Sequence, residues 1–178
     1  MSNDLLQRGK AIKLAVFDVD GVLTDGGVIV HADGSESKRF DIKDGAGIVM
    51  ARRAGLTIGL LSARHSASTQ HRARQLGVDI VRQGVTDKAV ALEELMESQR
   101  WSAEVIAYMG DDVVDLPVLR RVGLAACPAD AVAEVRAVAH VVSVRRGGHG
   151  AARAFIEDIL HAQGHWDALV AAHLHERP

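Results

Sequence analysis

Two acidic motifs in the sequence contain residue types that can do chemistry. The first, "AVFDVDGVLTD" (15–25), places Asp18 and Asp20 at the end of an apolar run. The second, "MGDDVVD" (109–115), follows another apolar run and supplies Asp111, Asp112 and Asp115. Carboxylates at the edge of a core are unfavourable unless a cation or a chemical task compensates for their burial. Because neither motif contains Cys or His, the hard oxygen ligands predict a Mg²⁺ site.

Two further polar residues follow apolar runs or begin a helical pattern. Ser62 stands in "GLLSAR" and Lys88 in "GVTDKAV". A hydroxyl with nearby backbone N–H groups, together with an ammonium, is typical of a phosphate site. Neither residue is informative alone, since a lone lysine is usually solvated. In chain order, and each beside a predicted strand or helix end, the set predicts a site for a phosphorylated ligand.

The elements that must position these residues are short apolar runs alternating with helical patterns. Strands are predicted at 12–17, 56–61, 78–81, 104–109, 123–127 and 140–144. Helices are predicted near 45–54, 66–76, 87–99, 112–121, 130–137 and 150–162. This alternation predicts an α/β fold with an open, mostly parallel sheet covered by helices on both faces. The carboxyl ends of such strands share one edge, where ligands bind.

One interval, residues 26–40, breaks this rhythm. Its apolar and polar segments flank "ADGS", and the Asp-Gly pair predicts a β-hairpin at the carboxyl end of the first strand. The chain shows no repeat or long linker, so we expect one domain over 1–178 with a hairpin flap at 26–40. A C-terminal tail is expected at 164–178, with an apolar face in "HWDALVAAHL".

Composition excludes several classes of partner. The 178 residues are 48% hydrophobic and 25% charged, with a formal net charge of −2, which is typical of a soluble globular protein. This balance indicates neither a nucleic-acid nor a membrane surface, and leaves room for a small anionic substrate in a local basic pocket. Cys127 is the only cysteine, and the polar start lacks the apolar segment of a signal peptide, so we expect a cytoplasmic location.

Taken together, the motifs resemble those of the haloacid dehalogenase (HAD) superfamily, whose fold is a Rossmann-like open sheet. "DVDGVLTD", Ser62, Lys88 and "GDDVVD" match its four motifs. The segments "ESKRFDIKDGAGI" (36–48), "QGVTDK" (83–88) and "RRGGHGAAR" (145–153) are similar to a narrower family, the 3-deoxy-D-manno-octulosonate 8-phosphate (KDO 8-phosphate) phosphatases. Members of that family lack a separate cap domain and form homotetramers, which implies the same assembly here.

The resemblance implies a role for each motif residue. Asp18 would attack phosphorus, and Asp20 would protonate the leaving alkoxide and then activate water. Mg²⁺ would be held by the Asp18 side chain, the Asp20 backbone carbonyl and Asp111. Ser62 and Lys88 would hold the phosphoryl oxygens, while Asp112 and Asp115 would support the metal site from outside.

Substrate contacts are implied in the same way. Besides Asp20 and Lys88, the matched positions are Arg64, Arg72 and the segment after the hairpin, which contains Asp41, Ile42, Lys43, Asp44 and Gly45. The two arginines suit a sugar that also carries a carboxylate.

Two alternatives stay open at this point. Val49 occupies a position where some relatives place a substrate-contacting arginine, and His149 one where relatives often have arginine. A phosphatase for a nonulosonate 9-phosphate, a sialic-acid-like sugar acid, is therefore the nearest alternative substrate assignment. A phosphoacceptor signalling module also uses paired aspartates, Mg²⁺ and a lysine. The Asp-x-Asp motif and the later "GDDVVD" favour the phosphatase.

Overall fold

A six-stranded parallel sheet forms the centre of the protein in the computed structural model, which describes residues 3–175. Its strands are β1 (Leu14–Phe17), β4 (Thr57–Leu61), β5 (Ile80–Arg82), β6 (Ile106–Met109), β7 (Leu124–Cys127) and β8 (Val141–Val142). Their spatial order is β5, β4, β1, β6, β7, β8, and all neighbours are parallel. The six predicted strands and the doubly covered parallel sheet are therefore confirmed, with strand ends shifted by at most two residues.

Helices cover both faces of the sheet. They are α1 (Asn3–Ala11), α2 (Ile42–Arg53), α3 (Ala67–Leu76), α4 (Lys88–Gln99), α5 (Leu116–Leu119), α6 (Ala133–Arg136), α7 (Ala151–Ala162) and α8 (Trp166–His175). One core cluster joins the sheet to α2 and α7 through buried residues such as Ile48 and Phe155. The second joins the opposite face to α4 and α5 through Leu92 and Leu119. The strands are buried throughout β1 and β6, as their continuous apolar character predicts.

The predicted hairpin is present and short. Its strands are β2 (Ile29–Val30) and β3 (Glu36–Ser37), which pair antiparallel. Gly34 lies at φ +82 in the turn, a left-handed conformation that favours glycine. An isolated bridge between Thr24 and Phe40 closes the base of the hairpin and returns the chain to α2.

The predicted helix at 112–121 is interrupted. Val113–Asp115 form a 3₁₀ turn and α5 begins only at Leu116, with Pro117 in its first turn. The side chain of Asp115 turns back to accept the backbone N–H groups of Asp111 and Asp112, at 3.0 and 3.2 Å. This satisfies amides that a continuous helix would have left facing the site.

Both ends of the described chain are helical. The sequence does not predict helix α1, because its residues are mostly polar and its two leucines are the only large apolar ones. In the expected tail, α8 follows Gly164, while residues 176–178 lie outside the described residues. Trp166 and Leu169 pack against the first core cluster. Within residues 3–175, no helix is long and apolar enough to cross a membrane.

Candidate active site

The two acidic motifs meet at the carboxyl edge of the sheet, because β1 and β6 are direct neighbours. Asp18 immediately follows β1, and its backbone N–H donates to the carbonyl of Met109, the last residue of β6, at 2.9 Å. Asp111 stands two residues beyond the end of β6. The chain turns sharply after Asp20 because Gly21 has φ +90, and a Cβ there would lie 2.1 Å from Asp111 Oδ2. The structure thus brings the carboxylates of the two motifs to one edge of the sheet.

Three carboxylates form a cluster that could hold a divalent cation. One oxygen from each of Asp18, Asp111 and Asp115 lies within 4.8 Å of the others. Asp111 Oδ1 is buried and has no hydrogen-bond partner among the described residues, which is the state expected of a ligand atom that awaits a cation. Asp112 is exposed, and its side chain caps the 3₁₀ turn by accepting from Val113 N–H at 2.7 Å.

Lys88 is the cation that keeps these carboxylates together. It opens α4, where Asp87 caps the helix, and it is only 5% exposed. Its Nζ lies 2.8 Å from Asp18 Oδ1 and 2.6 Å from Asp115 Oδ1. Burial alone would lower the pKa of Lys88, but the two carboxylates outweigh it and raise the pKa above its ordinary value. The ammonium therefore stays charged.

Tyr108 is a site residue that the sequence reasoning missed. Its hydroxyl donates to Asp115 Oδ1 at 2.6 Å, and the side chain is fully buried in β6. Burial and the nearby carboxylates raise the pKa of Tyr108 well above its usual range, so the hydroxyl remains a donor. Asp115 therefore accepts four hydrogen bonds, from Tyr108, from Lys88 and from the backbone N–H groups of Asp111 and Asp112. An apolar strand pattern hides such a residue, since a tyrosine fits a buried strand equally well as packing.

Electrostatics explain why a cation is needed. Burial raises the pKa of Asp18 to about 6, with Lys88 opposing the effect and Asp115 adding to it. Burial, followed by repulsion from Asp18 and Asp115, raises the pKa of Asp111 to about 7. Both carboxyls therefore bind protons easily when no metal neutralises them.

Ser62 lies on the other side of Asp18, at the end of β4. The residue is 2% exposed, and its hydroxyl donates to the Arg64 carbonyl at 3.2 Å and accepts from the Arg64 N–H at 3.3 Å. Like β6, β4 pairs directly with β1, so the hydroxyl stands at the same sheet edge as Asp18 and Lys88. The structure thus brings all four predicted motifs together.

Asp20 is held by the hairpin rather than by the carboxylate cluster. Lys38 Nζ lies 2.6 Å from Asp20 Oδ1 and 2.8 Å from Oδ2, and the Lys38 side chain is fully buried. Arg64 Nε is farther away, at 3.9 Å, and the Arg64 guanidinium pairs with Glu36 at 2.7 Å. Lys38 was not predicted; "ESKRF" offers two adjacent cations, and only the hairpin geometry decides which one faces the site.

The segment after the hairpin has mixed roles. Asp41 caps α2 by accepting from Lys43 N–H at 2.6 Å, while Ile42 and Lys43 are exposed. Asp44 is 2% exposed and accepts from the N–H groups of Gly150 and Arg153, which caps α7. A substrate contact through the Asp44 side chain stays a prediction.

Arg72 lies beside this segment. A Cβ on Gly45 would stand 2.3 Å from Arg72 Nη2, so glycine makes room for the guanidinium. Arg72 Nε is buried and has no hydrogen-bond partner among the described residues. Arg72 also lines a narrow pocket with Asp41 and Asp44, and its contact with a substrate stays a prediction.

Val49 and His149, the two positions at which the sequence differs from the family it resembles, occupy different places. Val49 is half-buried within α2. His149 lies on the loop between β8 and α7, where its Nε2 is 2.9 Å from Arg39 Nη2. This loop packs closely on the turn after β1, because Gly148 N–H donates to the Val22 carbonyl at 2.9 Å. His149 therefore contacts the hairpin base rather than the carboxylate cluster.

Comparisons with known proteins agree with this geometry. A family model described as haloacid dehalogenase-like hydrolase matches residues 60–155. A 3-deoxy-D-manno-octulosonate 8-phosphate phosphatase from Yersinia pestis is 37% identical over 163 residues, covering 92% of this chain and 87% of the relative.

Solved structures give the same result. A probable YrbI-family phosphatase from Pseudomonas syringae pv. phaseolica is 49% identical, with a TM-score of 0.96 and coverage of 99% of this chain and 100% of that one. The Moraxella catarrhalis KDO 8-phosphate phosphatase, solved with magnesium, phosphate and KDO, is 35% identical with a TM-score of 0.95, covering 97% and 99%. The family resemblance predicted from the motifs is confirmed.

The raised pKa values predict how cation binding depends on pH. Mg²⁺ must displace the protons of Asp111 and Asp18, whose pKa values are about 7 and about 6. We expect the apparent Mg²⁺ dissociation constant, measured by calorimetry, to rise about tenfold for each pH unit below the pKa of Asp111, and more steeply below that of Asp18. Asp111→Asn should bind weakly and lose the upper step. An affinity that is constant from about pH 5 to pH 8 would contradict the assignment of these ligands.

Proposed function

The chain belongs to the haloacid dehalogenase-like hydrolase family, and we propose that it is a Mg²⁺-dependent phosphatase that hydrolyses KDO 8-phosphate to KDO and phosphate. The observation that carries this proposal is the buried contact of Lys88 with Asp18, at 2.8 Å, beside an Asp111 oxygen that has no partner among the described residues. Such a pair suits a carboxylate nucleophile next to a cation site. The substrate assignment rests on the similarity to KDO 8-phosphate phosphatases over 92% of the chain.

In the first half-reaction, Asp18 acts as the nucleophile. One carboxylate oxygen stays on Lys88, and the other attacks phosphorus to form an aspartyl phosphate. The phosphorus–oxygen bond to the sugar breaks, and Asp20 gives its proton to the departing alkoxide. In the second half-reaction Asp20 takes a proton from water, whose oxygen attacks the phosphorus and releases phosphate from Asp18.

The residues present fit a magnesium ion. Asp18, Asp111 and the backbone carbonyl of Asp20 would hold it, and Asp115 is left to orient Lys88. When bound, Mg²⁺ neutralises the repulsion between these carboxylates and the phosphate dianion. Lys88 and Ser62 then hold the phosphoryl oxygens in line with Asp18, which is an electrostatic and positional contribution to the rate.

The sugar acid would lie outside this inner site, near Arg64 and Arg72. Arg64 is half exposed and its partner Glu36 is also accessible, so a substrate carboxylate can take the place of Glu36. Arg72 would approach from α3 alongside the segment 41–45. These groups would distinguish a phosphorylated sugar acid from a neutral sugar phosphate.

We also propose that the chain acts as a single domain within a homotetramer. The hairpin exposes Ile29 and Val30, at 62% and 67%, which is unfavourable unless another surface covers them. Packing of hairpins between subunits would cover both residues and close a site that has no separate cap. A cytoplasmic role in lipopolysaccharide precursor synthesis follows from the proposed substrate and agrees with the free, buried Cys127.

The nucleophile assignment predicts the effect of Asp18→Asn. Because an amide cannot attack phosphorus, kcat should fall by at least about 10⁴-fold, measured as phosphate release with saturating Mg²⁺. The fold should be retained, as judged by circular dichroism, because asparagine has nearly the same shape. EDTA should likewise stop the wild type, and added Mg²⁺ should restore it. Near-normal turnover by pure Asp18→Asn would refute the mechanism.

The substrate assignment predicts an effect of Arg64→Ala that depends on the substrate. A hydrogen bond to a charged group is worth about 1.5–3 kcal/mol, so kcat/KM for KDO 8-phosphate should fall about ten- to a hundredfold. The loss for p-nitrophenyl phosphate, which has no carboxylate, should be much smaller. Equal losses would assign Arg64 to the phosphate or the fold. If the wild type hydrolyses only nine-carbon sugar-acid phosphates, the alternative substrate is correct and Val49 becomes the first residue to test.

The exposed hairpin predicts the assembly. Light scattering coupled to size exclusion should give a mass about four times that of the chain, because four hairpins bury their apolar residues together. Ile29→Lys with Val30→Lys should lower the assembly state, while the exposed Val90→Lys serves as a matched control on α4. A fully active monomer would contradict the proposed cover.

A further inference from the structure

Lys38 is a buried cation that has no role in the two half-reactions proposed for Asp18 and Asp20. Its side chain is fully buried, and its Nζ contacts both carboxylate oxygens of Asp20, at 2.6 and 2.8 Å. We infer that Lys38 is a positioning residue, which fixes the Asp20 carboxyl where it meets the leaving oxygen of the substrate. The inference rests on the proposed phosphatase function and assigns a part of the hairpin to the acid–base step.

The contact geometry restricts Asp20 more than a surface pair would. Lys38 donates a hydrogen bond to Asp20 Oδ2 and lies in ion-pair contact with Oδ1, which has no hydrogen-bond partner among the described residues, so rotation of the carboxyl group is restricted by this one cation. The buried Lys38 side chain has little freedom to follow such a rotation. The Asp20 side chain is 19% exposed, so one side of the carboxyl still faces the site. The other nearby cation, Arg64, is half exposed and 3.9 Å away, and it pairs mainly with Glu36.

The hairpin itself is anchored on either side of Lys38. Glu36, two residues before Lys38, accepts from Arg64 through its side chain and from Ser68 Oγ through its carbonyl, at 2.7 and 3.2 Å. On the other side, Phe40 bridges to Thr24 next to the catalytic loop. The backbone on either side of Lys38 is therefore bonded to α3 and to the turn after β1, and this fixes the position from which Lys38 contacts Asp20.

The chemistry of the two partners limits what Lys38 can do. An ammonium donates hydrogen bonds and accepts none, so Lys38 cannot pass a proton from water to Asp20. It acts through the orientation of Asp20, and its removal should matter only where proton transfer by Asp20 matters. A sugar alkoxide needs that proton to leave, whereas p-nitrophenolate leaves readily without it.

The test compares Lys38→Met with the wild type on KDO 8-phosphate and p-nitrophenyl phosphate. The constant kcat/KM reports only steps up to the first irreversible one, which here is formation of the aspartyl phosphate, so the later hydrolysis does not obscure the comparison. General acid catalysis contributes about 10²–10⁴-fold, and we expect loss of about 30-fold or more with KDO 8-phosphate. The loss with p-nitrophenyl phosphate should be less than about threefold.

Arg39→Met is the matched control. Arg39 is the next residue on the hairpin, is 58% exposed and pairs with Asp25, so its removal deletes a cation without touching Asp20. It should change both constants by less than about twofold. Equal losses on the two substrates for Lys38→Met would overturn the inference.

A double-mutant cycle separates positioning from direct substrate binding. If Lys38 acts through Asp20, Lys38→Met should produce no more than about a twofold further loss in the Asp20→Asn background. A full additional loss there, with a raised KM, would mean that Lys38 contacts the phosphate or the sugar carboxylate, and would overturn the positioning role.

A second variant covers a failure of Lys38→Met to fold. Lys38→Arg keeps the charge but holds Asp20 through a longer, planar group, so it should show the same selective loss on the alkyl phosphate. Equal losses on both substrates would overturn the inference with this variant too. Wild-type activity on p-nitrophenyl phosphate without any on KDO 8-phosphate would refute only the proposed substrate, and the comparison would then use whichever alkyl sugar phosphate the wild type hydrolyses.

Discussion

The buried ammonium of Lys88 is the contact on which the site depends. Without it, Asp18, Asp111 and Asp115 would bring three carboxylates together in a largely desolvated place. Removing one partner of a buried ion pair generally destabilises a protein by about 3–5 kcal/mol, because the other charge is left uncompensated. Lys88 satisfies Asp18 and Asp115 together, and Tyr108 and two backbone amides complete the shell of Asp115. The cluster can therefore keep Asp111 available for a cation.

This contact constrains the surrounding fold. Lys88 can contact Asp18 and Asp115 only if the start of α4 lies beside the ends of β1 and β6. The observed order of parallel strands in the sheet meets this requirement. The turn after β1 must pass close to Asp111 and to the β8–α7 loop, and glycines occupy the places where a Cβ would collide. At Gly147, for example, a Cβ would lie 1.8 Å from the Gly21 carbonyl oxygen. Close approach of backbones, rather than flexibility, explains these residues.

The sequence predicted the sheet and the inner site because both follow from local patterns. Continuous apolar runs identify buried parallel strands, and polar residues directly after them must converge at one edge. The sequence did not predict partners that depend on side-chain direction in three dimensions. Tyr108 looks like strand packing, Lys38 is indistinguishable from Arg39 before the hairpin is folded, and the hydrogen bonds by which the Asp44 carboxylate caps α7 have no sequence signal. The break before α5 was missed because it depends on Asp115 turning back to amides outside the helix.

The site divides into an inner part of buried, hydrogen-bonded side chains and an outer part of exposed ion pairs. Asp18, Lys88, Asp115 and Tyr108 are buried and joined by hydrogen bonds, so truncating any one of these side chains leaves a buried polar group without its partner. The Arg64–Glu36 pair is different, since Arg64 is 50% exposed and its partner 29% exposed, and exposed pairs contribute little to stability. In the proposed function, a substrate anion would replace Glu36 there at small cost. Chemistry at phosphorus would then depend on the sheet, while recognition of the sugar would fall to residues of the hairpin and of the loop before α3, where a change of substrate requires no change in the core.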